Sequence, residues 1–143
     1  MINKIFLGFT AVTYGYLGGW ALFDPSSYVT AVGLTINTDL GSAEIRAVYG
    51  GINFLVGISA FVTLMNSRNE KTFFTILLFL ISGILLGRII SLIYGEYTSP
   101  FIGYFTAFEI VYFIFLVSAL RKLRNRIFSV SYTHLRAHET DRH

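Results

Sequence analysis

Phe73 to Tyr94 reads FFTILLFLISGILLGRIISLIY, an almost unbroken apolar run whose single charge is Arg88. About 20 such residues carry a helix across a hydrocarbon core of ~30 Å, so the run predicts a membrane span. Working outward, Ile5–Phe23, Ile45–Met65 and Phe101–Leu120 are runs of the same kind. The expected fold is therefore all-α, a four-helix transmembrane bundle. Its spans are taken as residues 5–23, 45–65, 73–94 and 101–120, with a short surface helix between spans one and two.

Composition agrees. Of 143 residues, 54% are hydrophobic and 13% charged, against roughly 25% charged in an average soluble chain. One membrane domain over residues 1–128 is the natural count. The absence of cysteine excludes disulfides, thiol catalysis and cysteine-ligated metals. The net charge of +3 comes from bases at the ends of apolar runs. No basic face interleaved with aromatics is formed, so no nucleic-acid partner is expected. The expected partner is the lipid bilayer, with a homo-oligomer or another membrane protein as further candidates. Span one follows Lys4 as a signal peptide would, but its core is long and no small-x-small site precedes Asp24. It is read as an uncleaved helix.

From Ser129 the text turns polar, SVSYTHLRAHETDRH, and all three histidines lie there. VSYTHLRAHET resembles one reading frame of the transposase adapter used in sequencing-library preparation. Residues 129–143 are accordingly expected to be a non-native tail, with the natural chain running out near Phe128; a natural polar tail is the alternative. His134 and His138 have the i, i+4 spacing of a helical metal pair, and are set aside with the tail. No metal site and no cofactor is expected.

The connections carry turn chemistry. Asp24-Pro25 starts a short helix, Gly33 ends it, Thr35–Gly41 is turn-like and Ser42 is placed to cap span two. Asn66–Thr72 and Gly95–Pro100 are polar turns. Lys4, the Arg68/Lys71 turn and the cluster Arg121, Lys122, Arg124 and Arg126 fall on one side, while residues 24–44 hold no base. The positive-inside rule then puts both termini in the cytoplasm of a multi-pass protein. Trp20, Tyr28, Tyr94, Tyr97 and Tyr104 gather at the outer ends as an aromatic belt would. Small residues at helical spacing predict close packing: Gly8, Ala11, Gly15 and Gly19 on span one, Gly50 on span two, and Gly83, Gly87 and Ser91 on span three.

Charges inside the spans are the candidate functional groups. Arg46, Tyr49, Gly50, Asn53 and Gly57 share one face at α-helical spacing. Arg88 lies about 9 Å below the outer end of span three and Glu109 about 12 Å down span four, at 1.5 Å per residue. The two spans are antiparallel neighbours, so these charges sit at similar depth, where an unpaired one costs about 2.5–3.5 kcal/mol. Three readings stay open. In one, Arg88–Glu109 is a structural clip and Arg46 snorkels to the headgroups. In another, Glu44, Arg46, Tyr49, Asn53, Arg88, Glu109 and Tyr112 line an outward-facing pocket for an anionic or zwitterionic head group. A proton relay through Glu109 is a third, thin without a second acid or a histidine. No catalytic residue is assigned: Gly50-Gly51 lies inside a span, and Ser82 and Ser91 have no base beside them.

The order Asp24-Pro25, Gly33-Leu34, Glu44-Ile45-Arg46-Ala47-Val48-Tyr49-Gly50-Gly51, Gly87-Arg88 and Glu109 resembles the bacterial membrane family called domain of unknown function 4345, over about residues 1–126. The resemblance implies a small four-helix inner-membrane protein and brings no assigned reaction. The layout is also loosely similar to DoxX-like four-helix proteins, some of which belong to quinone-linked oxidoreductases. Three functions follow as expectations. The first is a membrane protein binding or passing a small or lipid-like ligand. The second is a structural or accessory subunit of a membrane complex. The third is a quinone-linked membrane enzyme subunit.

Overall fold

Inside lipid every backbone amide needs an internal partner, and a helix supplies one within its own segment. The apolar runs take that course. The computed structural model describes residues 1–97 and 99–141, with the side chains of its last helix described as far as Asn125. The elements are α1 (Ile2–Phe23), α2 (Pro25–Ala31), α3 (Asp39–Ile45), a π-helix (Arg46–Ile52), α4 (Asn53–Met65), a 3-10 turn (Ser67–Asn69), α5 (Glu70–Ile93) and α6 (Pro100–Asp141). Four helical segments are long and apolar enough to cross a membrane: Ile2–Phe23, Asp39–Met65, Ser67–Ile93 and Pro100–Asn125. Among the described residues there is no strand, and the fold is all-α.

Several boundaries differ from the sequence expectation. The second span begins at Asp39, because Thr38 is its N-cap: Thr38 Oγ1 accepts from the Gly41 amide at 3.0 Å. Ser42, expected as the cap, sits inside the helix. Of the polar turn expected at 66–72, only Asn66 is non-helical; its side chain accepts from the Arg68 amide and starts the 3-10 turn. α6 runs on past Leu120. Arginine and lysine are good helix formers, so a basic cluster need not stop a helix where its apolar face ends. The non-native tail expected from Ser129 lies outside the described side chains.

Two compact units result, Met1–Phe73 and Phe74–His143, with the boundary near the start of α5. In the first, α1 packs antiparallel to the π-helix and α4. A Cβ on Gly57 would strike the Gly15 amide nitrogen and come within 3.1 Å of Ala11 O. One on Gly18 would strike Phe54 N and lie 2.8 Å from Asn53 C, and one on Gly50 would lie 2.9 Å from Leu22 Cγ. Residue numbers rise on one helix as they fall on the other, which fixes the register. Gly15 and Gly50 thus lie in the seam that the sequence drew. The closest approach is at Gly18, whereas a Cβ on Gly19 would only touch the Phe54 ring at 4.0 Å. The true stripe follows 8, 11, 15, 18, the three-four alternation that keeps one helix face on its partner.

Asp24 starts α2, its Oδ1 accepting from the Ser27 amide at 3.3 Å. Ala21, Tyr28 and Val29 form a small core, with Leu17, Trp20, Ile36 and Ile45 around it. Gly33 reverses the chain at φ +84, and the Leu34 amide donates back to Val29 O at 2.7 Å. That left-handed turn is where only glycine is unstrained.

In the second unit α5 and α6 form a hairpin through Gly95, at φ +73. Phe74 meets Phe115 edge-on at 6.4 Å near the base. Gly83 and Gly87, expected to pack, face open space: among the described residues a Cβ on either would meet nothing within 4 Å.

Candidate functional site

Within the second unit, α5 carries Arg88 and α6 carries Glu109, and the hairpin brings them level. Arg88 Nε donates to Glu109 Oε2 at 3.1 Å, and Nη2 to Oε1 at 3.0 Å. This two-point fork is the strong form of the interaction. The carboxylate is the deeper partner, 12% exposed against 33% for Arg88. The turn reaches back over the pair. The Tyr97 hydroxyl donates to Arg88 O at 3.3 Å and lies 2.9 Å from Thr106 Oγ1. Thr106 Oγ1 in turn stands 2.7 Å from Ile102 O. Tyr97 was expected in an aromatic belt; its hydroxyl instead ties the turn to both helices. Tyr112, expected to line a pocket, is 4% exposed and stacks on Phe108 at 4.7 Å.

Within the first unit the candidate residues sit where α1 ends. The stretch Arg46–Ile52, RAVYGGI, is a π-helix. A π turn holds more residues than an α turn; such turns are rare and are frequently found at functional sites. Here it keeps Gly50 on Leu22 while the Tyr49 ring reaches Tyr28, 5.8 Å between centroids. Arg46 Nε donates to Leu22 O at 3.0 Å, at the carbonyl end of α1. Its two terminal amino groups have no acceptor among the described residues. Glu44 is exposed and Asn53 half-buried, with the Asn53 backbone in the glycine seam.

Four rings form a series in the same unit. Tyr16 and Trp20 lie 6.1 Å apart, Trp20 and Tyr28 5.4 Å edge-to-face, and Tyr28 continues to Tyr49. Trp20 Nε1 donates to Ser27 Oγ at 3.3 Å. Tyr28 is buried, 7% exposed, so it belongs to the core that seats α2 and not to the lipid-facing belt. Burial pushes its phenol above the ordinary 10.0, and Tyr49 adds to the effect. The hydroxyl therefore stays neutral over the physiological range.

Sequence reasoning missed the π-helix, the Tyr97–Thr106 tie and the ring series. The Gly50-Gly51 pair inside an apolar helix was the one available signal of irregular backbone. Among the described residues no group of three histidine, cysteine or acidic side chains is placed to hold a metal ion. No curated protein and no solved structure matches the chain. One family model does, over residues 2–120, a range that takes in the glycine seam, the π-helix and the Arg88–Glu109 pair. Four apolar helices and this match together describe a multi-pass membrane protein, and the chain belongs to the family called Domain of unknown function (DUF4345).

Proposed function

We propose that the protein binds or passes a small or lipid-like ligand at the outer mouth of a bacterial inner membrane, with its N-terminus, the 66–72 turn and its C-terminal segment in the cytoplasm. The distribution of bases supports that orientation: residues 24–44 hold none, while Lys4, Arg68, Lys71 and the Arg121–Arg126 cluster lie at the other ends of the spans.

The observation that carries the binding reading is Arg46. A guanidinium at the end of a span, held by Nε alone, keeps two terminal amino groups for a ligand. Glu44, Tyr49 and Asn53 are its companions on the same segment. Arg88, Glu109 and Tyr112 take the other role that the sequence left open. A bidentate pair with a bonded second layer satisfies its own charges and supports the structural clip.

The test is the co-purifying ligand. The protein, extracted in mild detergent, is examined by native mass spectrometry as wild type, Arg46→Gln and Glu109→Gln. A bound species lost with Arg46→Gln and kept with Glu109→Gln is expected. Equal retention in all three defeats the reading.

A second reading, an accessory subunit, draws on the open stripe at Gly83 and Gly87. Self-association that Gly83→Leu abolishes while monomer stability holds favours it; unchanged association removes it.

A further inference from the structure

We infer that the ligand at Arg46 is zwitterionic, a phosphate diester carrying an ammonium group. Arg46 takes the phosphate and Asp24 the ammonium. The inference rests on the binding reading above and names the class of molecule bound.

The phosphate end follows from geometry. Because Nε is spent on Leu22 O, the guanidinium is held at that point and its outer edge, Nη1 with Nη2, is left. Two parallel N–H donors on a planar fork match two phosphate oxygens. Anchoring also lowers the rotamer entropy lost when the ligand is bound.

The ammonium end follows from charge. Residues 24–44 contain Asp24, Asp39 and Glu44 with no base, so the stretch that leads up to Arg46 is acidic throughout. A purely anionic ligand meets net repulsion there, whereas a ligand that brings its own cation does not. Of the three, Asp24 is the placed one. It is two residues along from Leu22, whose carbonyl holds Arg46, and two Cα–Cα steps span at most about 7 Å. Its Oδ1 caps α2 through the Ser27 amide, while Oδ2 has no partner among the described residues. An open cation edge and an open carboxylate oxygen therefore both belong to residues gathered at the end of α1. On the elements that carry them Trp20 is half-buried and Tyr49 38% exposed, and such rings favour an ammonium over their faces.

The experiment uses the full chain in detergent and three probes: short-chain phosphatidylethanolamine, short-chain phosphatidylglycerol, and free glycerophosphoethanolamine, the same diester without acyl chains. Affinities are measured for wild type, Arg46→Lys, Arg46→Gln and Asp24→Asn. Asparagine is as good an N-cap as aspartate, so α2 is retained in the last. The expected result is a preference of about tenfold for the ethanolamine lipid over the glycerol lipid, equivalent to one well-made charge contact. Asp24→Asn should bring the two lipids within about twofold, and Arg46→Lys should weaken both alike by about tenfold or more. Free glycerophosphoethanolamine binding as tightly as its lipid supports the ligand class and assigns it to a soluble molecule. Equal or tighter binding of phosphatidylglycerol by the wild type overturns the inference, as does a preference that survives Asp24→Asn. In either case loss of binding in Arg46→Gln leaves the wider binding reading standing. Unaltered affinity in Arg46→Gln defeats both.

Discussion

Arg88 and Arg46 are the same side chain in two settings, and the settings assign them different work. Arg88 gives two nitrogens to one carboxylate deep in the hairpin; Arg46 gives one nitrogen to a backbone carbonyl at a helix end. Removing one member of a paired charge leaves the other buried and unsatisfied, which is worse than removing both. Arg88→Gln and Glu109→Gln are each expected to destabilise the protein in detergent by about 2–4 kcal/mol, and the double change by less than either. Thermal unfolding of the four proteins checks this. A neutral or stabilising Glu109→Gln defeats the clip. The facing of Arg88 by Glu109 was legible in outline, since a short turn between two spans makes equal depth calculable. The tie through Tyr97 was not, because nothing in the sequence of a turn says which of its side chains folds inward.

At the scale of elements, glycines that look alike in the sequence differ in effect. Gly18 and Gly57 let two backbones meet, so their Cβ positions are already occupied by main-chain atoms that cannot swing aside. Gly83 fills nothing and is filled by nothing within 4 Å. Gly18→Ala should separate α1 from α4 and destabilise the first unit by about 2–3 kcal/mol or more, in the range of overpacked cores. Gly83→Ala should be neutral or stabilise by up to about 1 kcal/mol, the helix-propensity gain. Detergent melting of the two variants side by side measures the contrast, and a similar loss in both is the outcome that sinks it. Spacing alone revealed the stripe on α1. It ended that stripe at Gly19 and not Gly18, because steps of three and of four residues lie on the same face and spacing alone does not choose between them.

At the scale of the molecule, length and apolarity made the four spans legible, since lipid leaves the backbone so few alternatives. Their ends were less legible. Thr38 displaced Ser42 as the cap, and α6 ignored the basic cluster that was expected to close it. The stretch with the most recognisable letters, Glu44 to Gly51, held the largest surprise, a π-helix in place of regular turns. Hydrophobic periodicity assumes the period it measures, and so is blind to a local change of period.

That change of period amounts to about one residue more than regular turns would hold, and the widened turn acts as slack in the second span. The part after it is pinned by the glycine seam; the part before it carries the Thr38 cap and Glu44. Excising Val48 should restore an ordinary helix. Because the π turn already takes up that residue, its loss leaves the upstream segment near its present bearing, while every contact below Gly50 stays in place. The deleted protein is expected to fold with a melting point close to the parent's, to keep the hold of Arg46 on Leu22 O, and so to retain the binding that Arg46→Gln abolishes. A large loss of stability or of binding after the excision would mean that the residue is no spare. If the prediction holds, a single codon can be dropped from the wall of the mouth without turning it.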